Sequence, residues 1–506
     1  MKSSIWKNLE KELNLKENFN VIDFIEKNAE KYPDKTAFFL EDEKNKSKKI
    51  SYKELLNQTN KFSNLLAKSG IKKHDRVALF LPKTPEIYIG TLAAIKTGAI
   101  AMPLFEAFQA DGLELRLKRG EVNFLITNKE LYKRLKNKKQ FKNLKIIITD
   151  SFFFKRKLKK QSENFESVKM KKKDTALMIF TSSTAGTPVA GIQIPHHALI
   201  QWIYTAKNVL NLKENDNYWC TAHPAWVTGA VYGIMAPLLI GCSIFIKQGR
   251  FDSLKWKNFL AKYKISVLYT APTVLRLWRN DIQQSDLKLL KSIFSVGEAL
   301  PLSIVEHYKK SGIFIIDTYW QTETGAIVIA NIKKKKGSLG QAIGVNIKIN
   351  KDSMMIIEKP WPSMMTSIWK HKKMYKSYFE GKWFKTNDLA RKDRQGNFYF
   401  EGRKDDMIKT SGERVSPLEI ESVLLKHKAV KESAVIGVPD KERGSIIKAF
   451  IVLNKDYEAR ANEFLKDDIS MFVKKSYAGH SYPKIVEFVK ELPKGNSGKI
   501  IRSRLR

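Results

Sequence analysis

Cysteine is nearly absent: 506 residues carry two, Cys220 and Cys242, with no CxxC pair and no metal-ligand spacing. That excludes a disulfide-stapled fold and a thiolate-built metal site, and it fits a reducing cytosol, so a cytoplasmic protein is expected. The stretch from Met1 to Asn20 lacks the apolar run of a signal peptide. One uncharged segment, Val227 to Ile246, is long enough to cross a bilayer. Gly229, Gly233, Pro237 and Gly241 interrupt it, and it reads as a buried helix, a turn at Gly241 and a buried strand over Ser243–Ile246. Acidic charge is also scarce, with 52 Asp+Glu against 91 Lys+Arg and a net charge of +39. Such an excess attracts polyanions. Its lysine runs, such as 157–160, 171–173 and 333–336, are spread along the chain and do not interleave with aromatics as a base-stacking platform does. Ile and Asn are abundant too, so a compositional bias accounts for the excess. Neither nucleic acid nor membrane is expected as a partner.

What is present is a globular composition, 43% hydrophobic and 28% charged, in a chain long enough for about three or four structural units. Short apolar runs alternate with amphipathic segments, the signature of parallel sheets covered by helices. The pattern predicts strands over Arg76–Leu81, Ala99–Leu104, Val122–Thr127, Lys145–Thr149, Ala176–Ser182, Tyr218–Ala222, Ser266–Ala271, Ser292–Val296 and Ile313–Thr318. It predicts helices over Glu86–Thr97 and His196–Leu210, and leaves Lys155–Lys173 as a basic stretch. The texture changes around Gly402–Asp406. Beyond it, helices over Pro417–His427 and Ala459–Lys475 and strands over Ser433–Val438 and Ile446–Leu453 predict a small α+β unit. The expected organisation is an α/β fold: a large domain of stacked sheets covered by helices, 1–404, and a small mobile C-terminal domain, 405–506.

Four segments carry chemistry. Phe180 to Pro188 is a hydroxyl-rich turn after a strand, able to offer N–H and O–H donors to anionic oxygens. Asp317 to Gly325 ends another strand, where ligands of open α/β sheets bind; a carboxylate among hydroxyls there could hold Mg²⁺ on a phosphate. A helix start capped by Thr322 is compatible with that reading. In the third, Asp388 precedes Gly402 to Asp406 and Ser411 to Arg414; an aspartate suits a diol, and Arg403 and Arg414 suit phosphates. The fourth, Pro493 to Lys499, puts a lysine on a glycine-flanked loop that can meet a developing charge.

In this order the four segments resemble the adenylate-forming, AMP-binding superfamily of acyl-CoA synthetases, luciferases and peptide-synthetase adenylation domains, and within it the acetyl-CoA synthetases. The resemblance runs from about Val21 to Arg506, with support from Pro103 to Phe108, Tyr218 to Ala222, Trp226 to Gly229, Val296 to Glu298 and Trp361 to Met365. It implies an acetate–CoA ligase using ATP, Mg²⁺ and CoA: acetate and ATP give acetyl-AMP and pyrophosphate, and CoA then takes the acetyl group. Thr181, Ser182, Thr184 and Gly186 would meet the phosphates. Gly297, Glu298 and Ala299 would flank adenine, and Asp317, Thr318, Tyr319, Trp320, Gln321 and Thr322 would line the AMP site. Asp388 would grip the ribose, with Arg403 and Arg414 nearby. Glu323 would help hold Mg²⁺, and Lys499 would bridge carboxylate and α-phosphate. Asp405 would be the hinge. Ser411, Gly412 and Lys474 would face CoA. A structural cation would lie near Leu425, His427 and Val430; His427 otherwise reads as an ordinary residue at a helix C-terminus. Val227, Thr228, Val296 and Trp320 would size the acyl pocket, the indole filling the space of a longer chain.

The sequence departs from the family at the phosphate loop, where Ser183 and Ala185 replace Gly and Thr and the loop lysine is missing. His223 and Ala225 also stand in place of Asp and Gly. Three readings therefore stay open beside acetate ligation: a ligase for another small acid such as propionate or an aryl acid, a catalytically impaired nucleotide or CoA binder, and a basic nucleic-acid-associated protein. The oligomeric state, monomer or homo-oligomer, is open as well.

Overall fold

The computed structural model describes residues 2–505 except 182–189, 280, 407, 411–412, 441–443, 477–481 and 495–499, and of the side chains it leaves out Lys2, Ser3, Asp405, Lys409, Thr410, Glu413, Arg414 and Ser503. Of the expected site residues, Lys499, Ser182, Thr184, Gly186, Ser411 and Gly412 thus lie outside the described residues, as do the side chains of Arg414 and Asp405.

Two large sheets form the frame. The first has seven strands, in the order Ser367–Ile368, Gly191–Pro195, Thr175–Phe180, Ile100–Leu104, Arg76–Phe80, Phe124–Thr127 and Lys145–Ile148. The second has nine, and its centre runs Ile315–Tyr319, Ser292–Ser295, Val267–Thr270, Asn217–Cys220, Ser243–Lys247, Thr36–Glu41, parallel throughout. Side chains alternate across each strand, and here the alternation sorts them into separate cores. Val77, Leu79, Phe124 and Ile126 of the first sheet share one core with Phe38, Leu40, Tyr218 and Ile244 of the second. Their neighbours Ala78, Phe80 and Leu125 face a core on the far side of the first sheet, while Phe39, Trp219, Phe245 and Leu268 face one beyond the second. The sheets are stacked, with helices between and outside them. Helix Pro85–Lys96 belongs to the middle layer: Ile87 through Lys96 are all buried, as a helix apolar on nearly every side requires. Lys96 escapes the cost of a bare buried charge through Glu26 and Asn60.

The uncharged segment 227–246 is helical over Val227–Ala230, widens to a π-turn over Val231–Met235, and resumes over Ala236–Ile240. Gly241 ends it in the left-handed conformation at φ +84°, and strand Ser243–Lys247 follows. No helix among the described residues is long and apolar enough to cross a membrane.

A third sheet, antiparallel, has Trp383–Lys392 at its heart, flanked by Met354–Glu358 and Phe398–Arg403. The cores of the C-terminal part draw only on residues from Ile408 onward. They are enclosed by helices Pro417–Leu424 and Glu463–Ser476 and by strands Val430–Asp440, Gly444–Leu453 and Ile485–Phe488. The fold is thus a large domain of sheets and helices followed by a small C-terminal one.

Three expectations shift. The helix expected over His196–Leu210 opens as a 3₁₀ turn, His196–Ala198, before helix Leu199–Asn208. The one expected over Ala459–Lys475 begins at Glu463, where the Asn462 side chain accepts from the N–H of Leu465 and starts the helix. The basic stretch Lys155–Lys173 opens inside helix Phe152–Lys159, capped by the Ser151 hydroxyl accepting from the Phe154 N–H, and then runs without helix to the short strand Met170–Lys171.

Candidate active site

Strand Ile315–Tyr319 delivers the central residues. Its C-terminal end passes into a tight turn closed by Thr324, whose hydroxyl accepts from the Gln321 N–H at 2.9 Å and donates to the Gln321 carbonyl at 2.9 Å. A side-chain hydroxyl bonded to nearby backbone in this way offers the chain an alternative to helix. The next element is the short strand Ile329–Ala330, so the helix start expected at Thr322 does not form. The Ile327 N–H donates instead to the Tyr232 hydroxyl at 3.0 Å. Gly325, at φ +70°, completes the turn; a Cβ there would sit 1.9 Å from the Ser363 carbonyl oxygen, so only glycine fits.

A relay of hydroxyls fixes the indole of Trp320. Its N–H donates to the Tyr269 hydroxyl at 3.1 Å. Thr318 donates to the Ser295 carbonyl at 2.7 Å, so in its 2.8 Å contact with Tyr269 the phenol is the donor. The ring of Tyr232 meets the indole edge-on, centroids 5.1 Å apart. Tyr232 lies four residues beyond Thr228, in the π-turn that continues helix Val227–Ala230. Val296 and Trp320 are buried in the central core, and Val227 packs against it.

Asp388 is the second centre. Buried in strand Trp383–Lys392, it pairs in register with Arg403, whose Nε stands 3.3 Å from Oδ1. Its Oδ2 accepts from the Tyr319 hydroxyl at 2.6 Å and from the Gln321 amide at 2.7 Å. The same amide donates to the Thr386 carbonyl at 2.8 Å. The structure thus brings Tyr319, Gln321, Asp388 and Arg403 together.

Glu323 is half-buried, and its partial removal from water raises its carboxyl above the usual range, with the Tyr378 hydroxyl, a donor at 3.0 Å, pulling the other way. Asp317 is pushed up to about 7 by burial, against the pull of the Ser295 hydroxyl and the Thr318 N–H. Gly297 takes φ +91° with open space around it. The carboxylate of Glu298 accepts from Thr273 at 2.8 Å. Thr181 donates its N–H to the Ala190 carbonyl at 3.1 Å, closing the base of the hydroxyl-rich turn.

His223 is 2.5 Å from Glu106. Its Nδ1 accepts from the Ala225 N–H at 3.0 Å, so Nε2 carries the proton that faces the carboxylate.

In the small domain the base of the last loop is well held. Lys494 and Ile500 pair across it, Lys494 reaches Glu432 at 2.5 Å, and Arg502 forks onto Glu421 at 2.7 Å. The Lys474 ammonium lies 5.1 Å from the centre of the Tyr482 ring. The ring of His427 is occupied by Asp468 at 3.2 Å and by the Ala429 N–H at 3.3 Å. Among the described residues no group of three or more His, Cys, Asp or Glu converges as a metal cluster.

Four residues of this neighbourhood, Tyr232, Tyr269, Tyr378 and Thr386, are not marked by the sequence motifs. Tyr269, near the C-terminal end of a strand in the same sheet as Ile315–Tyr319, is the one with a positional signal.

A buried carboxylate fed by two donors and beside an arginine, next to the C-terminal end of strand Ile315–Tyr319, is suited chemically to hydroxyls and negative charge on a polar ligand. The chain belongs to the AMP-binding enzyme family: the family's main region matches residues 25–359 and its C-terminal domain matches residues 419–499. Within that family it is similar to acetyl-coenzyme A synthetase of Bacillus subtilis (strain 168), 40% identical over 94% of this chain and 88% of that protein. The acetyl-coenzyme A synthetase of Methanothrix thermoacetophila is 32% identical over 90% of this chain and 77% of its own length. Among solved structures, the anthranilate CoA ligase AuaEII in complex with anthranoyl-AMP superposes with a TM-score of 0.88 at 27% identity, covering 97% of this chain and 98% of that one.

Proposed function

We propose that the protein is an acetate–CoA ligase, joining acetate to ATP as acetyl-AMP with release of pyrophosphate and then passing the acetyl group to CoA. The observation that carries the choice of acid is the anchored indole of Trp320. Tied to Tyr269 and abutted by Tyr232, it cannot swing aside without breaking a buried hydrogen bond. An acyl pocket walled by Val227, Thr228 and Val296 and floored by this ring would take a methyl group and refuse a longer chain.

In this reading Asp388 accepts from the ribose, with its carboxylate already oriented by Tyr319 and Gln321. Arg403 and Arg414 balance phosphate charge. Gly297, Glu298 and Ala299 border the adenine. Thr181, Ser182, Thr184 and Gly186 offer donors to the phosphates. Lys499 supplies the positive charge that stabilises the carboxylate–phosphate encounter. Glu323 suits Mg²⁺: partial burial holds its carboxyl toward neutrality, and a hard cation bound to its oxygens would favour the ionised form. When bound, Mg²⁺ would neutralise charge on the phosphates. The structural cation near Leu425, His427 and Val430 would have to rest on backbone oxygens, since the imidazole is engaged. Ser411, Gly412 and Lys474 face CoA, and the small domain, 405–506, rotates against the large one, 1–404, about a hinge at Asp405. Two buried free thiols suit a cytoplasmic setting.

The test is acetate-dependent ATP–pyrophosphate exchange by the purified protein, run beside propionate and butyrate. Exchange should be strongest with acetate, weaker with propionate and slight with butyrate, because each methylene is worth about 1–3 kcal/mol. Absence of exchange with every acid of this series would overturn the proposal.

A further inference from the structure

The positive charge of the chain is spread widely, but at one place it coincides with exposed aromatic surface. Helix Phe152–Lys159 follows strand Lys145–Ile148, the outer edge of the seven-stranded sheet. Its inner side is fixed. Phe154 is buried with its ring centre 5.3 Å from that of Phe62, and Leu158, one turn on, packs against the same core. Because the inner side is anchored, its other residues are held outward. Phe152 and Phe153 are 70% and 72% exposed, with ring centres 6.1 Å apart. Lys155, Arg156, Lys157, Lys159 and Lys160 are exposed around them, and the helix contains no acidic residue.

A lone exposed apolar side chain is ordinary. Two adjacent phenyl rings within a ring of cations are a different surface. Rings and cations together suit an anionic bilayer, where phenyl groups enter the boundary between headgroups and acyl chains while lysines and arginine meet lipid phosphates. A single-stranded nucleic acid fits less well. The two rings stand edge to face at 75° and present no pair of parallel surfaces on which successive bases could stack.

We propose that helix Phe152–Lys159 is an interfacial contact through which the protein sits reversibly on anionic membrane surfaces, without crossing them. This does not depend on the acid the enzyme uses.

The experiment is co-sedimentation of the full-length protein with phosphatidylcholine vesicles, with and without phosphatidylglycerol. Binding is expected only with phosphatidylglycerol, and it should weaken as salt rises. Phe152→Ser/Phe153→Ser should lower vesicle affinity about tenfold or more while thermal unfolding stays that of the parent, since both rings are already in water. Lys155→Glu/Lys159→Glu should also release the protein. Inorganic phosphate should weaken binding no more than sodium chloride of the same ionic strength, which separates a bilayer from a phosphate site. Failure to bind anionic vesicles, or undiminished binding by the double Phe variant, would overturn the proposal. So would single-stranded RNA binding more tightly than the vesicles and displacing them.

Discussion

Tyr319 and Asp388, 69 residues apart in the chain, are joined by a 2.6 Å hydrogen bond from phenol to carboxylate. The bond ties the end of a strand in the nine-stranded sheet to the antiparallel third sheet, and it sets the orientation of a carboxylate read as the ribose acceptor. Asp388→Ala would leave Tyr319, Gln321 and Arg403 without that acceptor. A loss of about 3 kcal/mol or more in stability is expected, together with a sharp rise in the KM for ATP. Tyr319→Phe, which keeps the carboxylate, should cost only about 1 kcal/mol. Urea unfolding and exchange kinetics on the two variants check both.

Trp320→Leu should change which acid is used. The shorter side chain opens the pocket and leaves the Tyr269 hydroxyl without its donor. Activity with acetate should fall and activity with butyrate should rise, each acid's kcat/KM shifting by about 10-fold or more per methylene accommodated. Measuring kcat/KM across acetate, propionate and butyrate gives the answer.

The Asp317 carboxyl, ordinarily near 3.8, is pushed up to about 7 by burial. The native state therefore keeps a proton that the unfolded chain has released. The stability this gives is complete below about pH 4 and is lost as the pH rises through 7. Asp317→Asn cannot ionise. Relative to the parent it should gain on the order of 2–4 kcal/mol between pH 5 and pH 8, read by urea unfolding at the two pH values without nucleotide.

Glu421 accepts from both Arg502 and the Val435 N–H. Glu421→Gln would leave a largely buried guanidinium with only the more distant Asp406 carboxylate, at 3.8 Å, as countercharge, a loss of up to about 3 kcal/mol. Hydrogen exchange should show the loss in the C-terminal domain, with amide protection in the two large sheets unchanged.

The parallel strands are legible in the sequence because buried parallel strands are continuous apolar runs, as Thr175–Phe180 and Val267–Thr270 are. The antiparallel third sheet is not. Trp383–Lys392 alternates buried and half-buried positions with charged residues among them, and lysines hide the period. Helix Phe152–Lys159 is hidden in the same way. At the site, the motifs point to Asp388, Arg403 and Trp320 directly. What they do not carry is the company these residues keep: Tyr269 and Tyr232 reach Trp320, and Tyr378 reaches Glu323, from elements well separated in the chain, and only the folded arrangement makes them neighbours.

The pairing of Lys494 with Ile500 bears on how Lys499 could travel. Lys499 is covalently next to Ile500, so their Cα atoms stay about 3.8 Å apart, while Ile500 is stapled to Lys494 and Lys494 to Glu432. Under the proposed reading, that staple would couple any step that uses this lysine to a movement of the C-terminal body as a whole, so the swivel between bodies would set the pace of turnover.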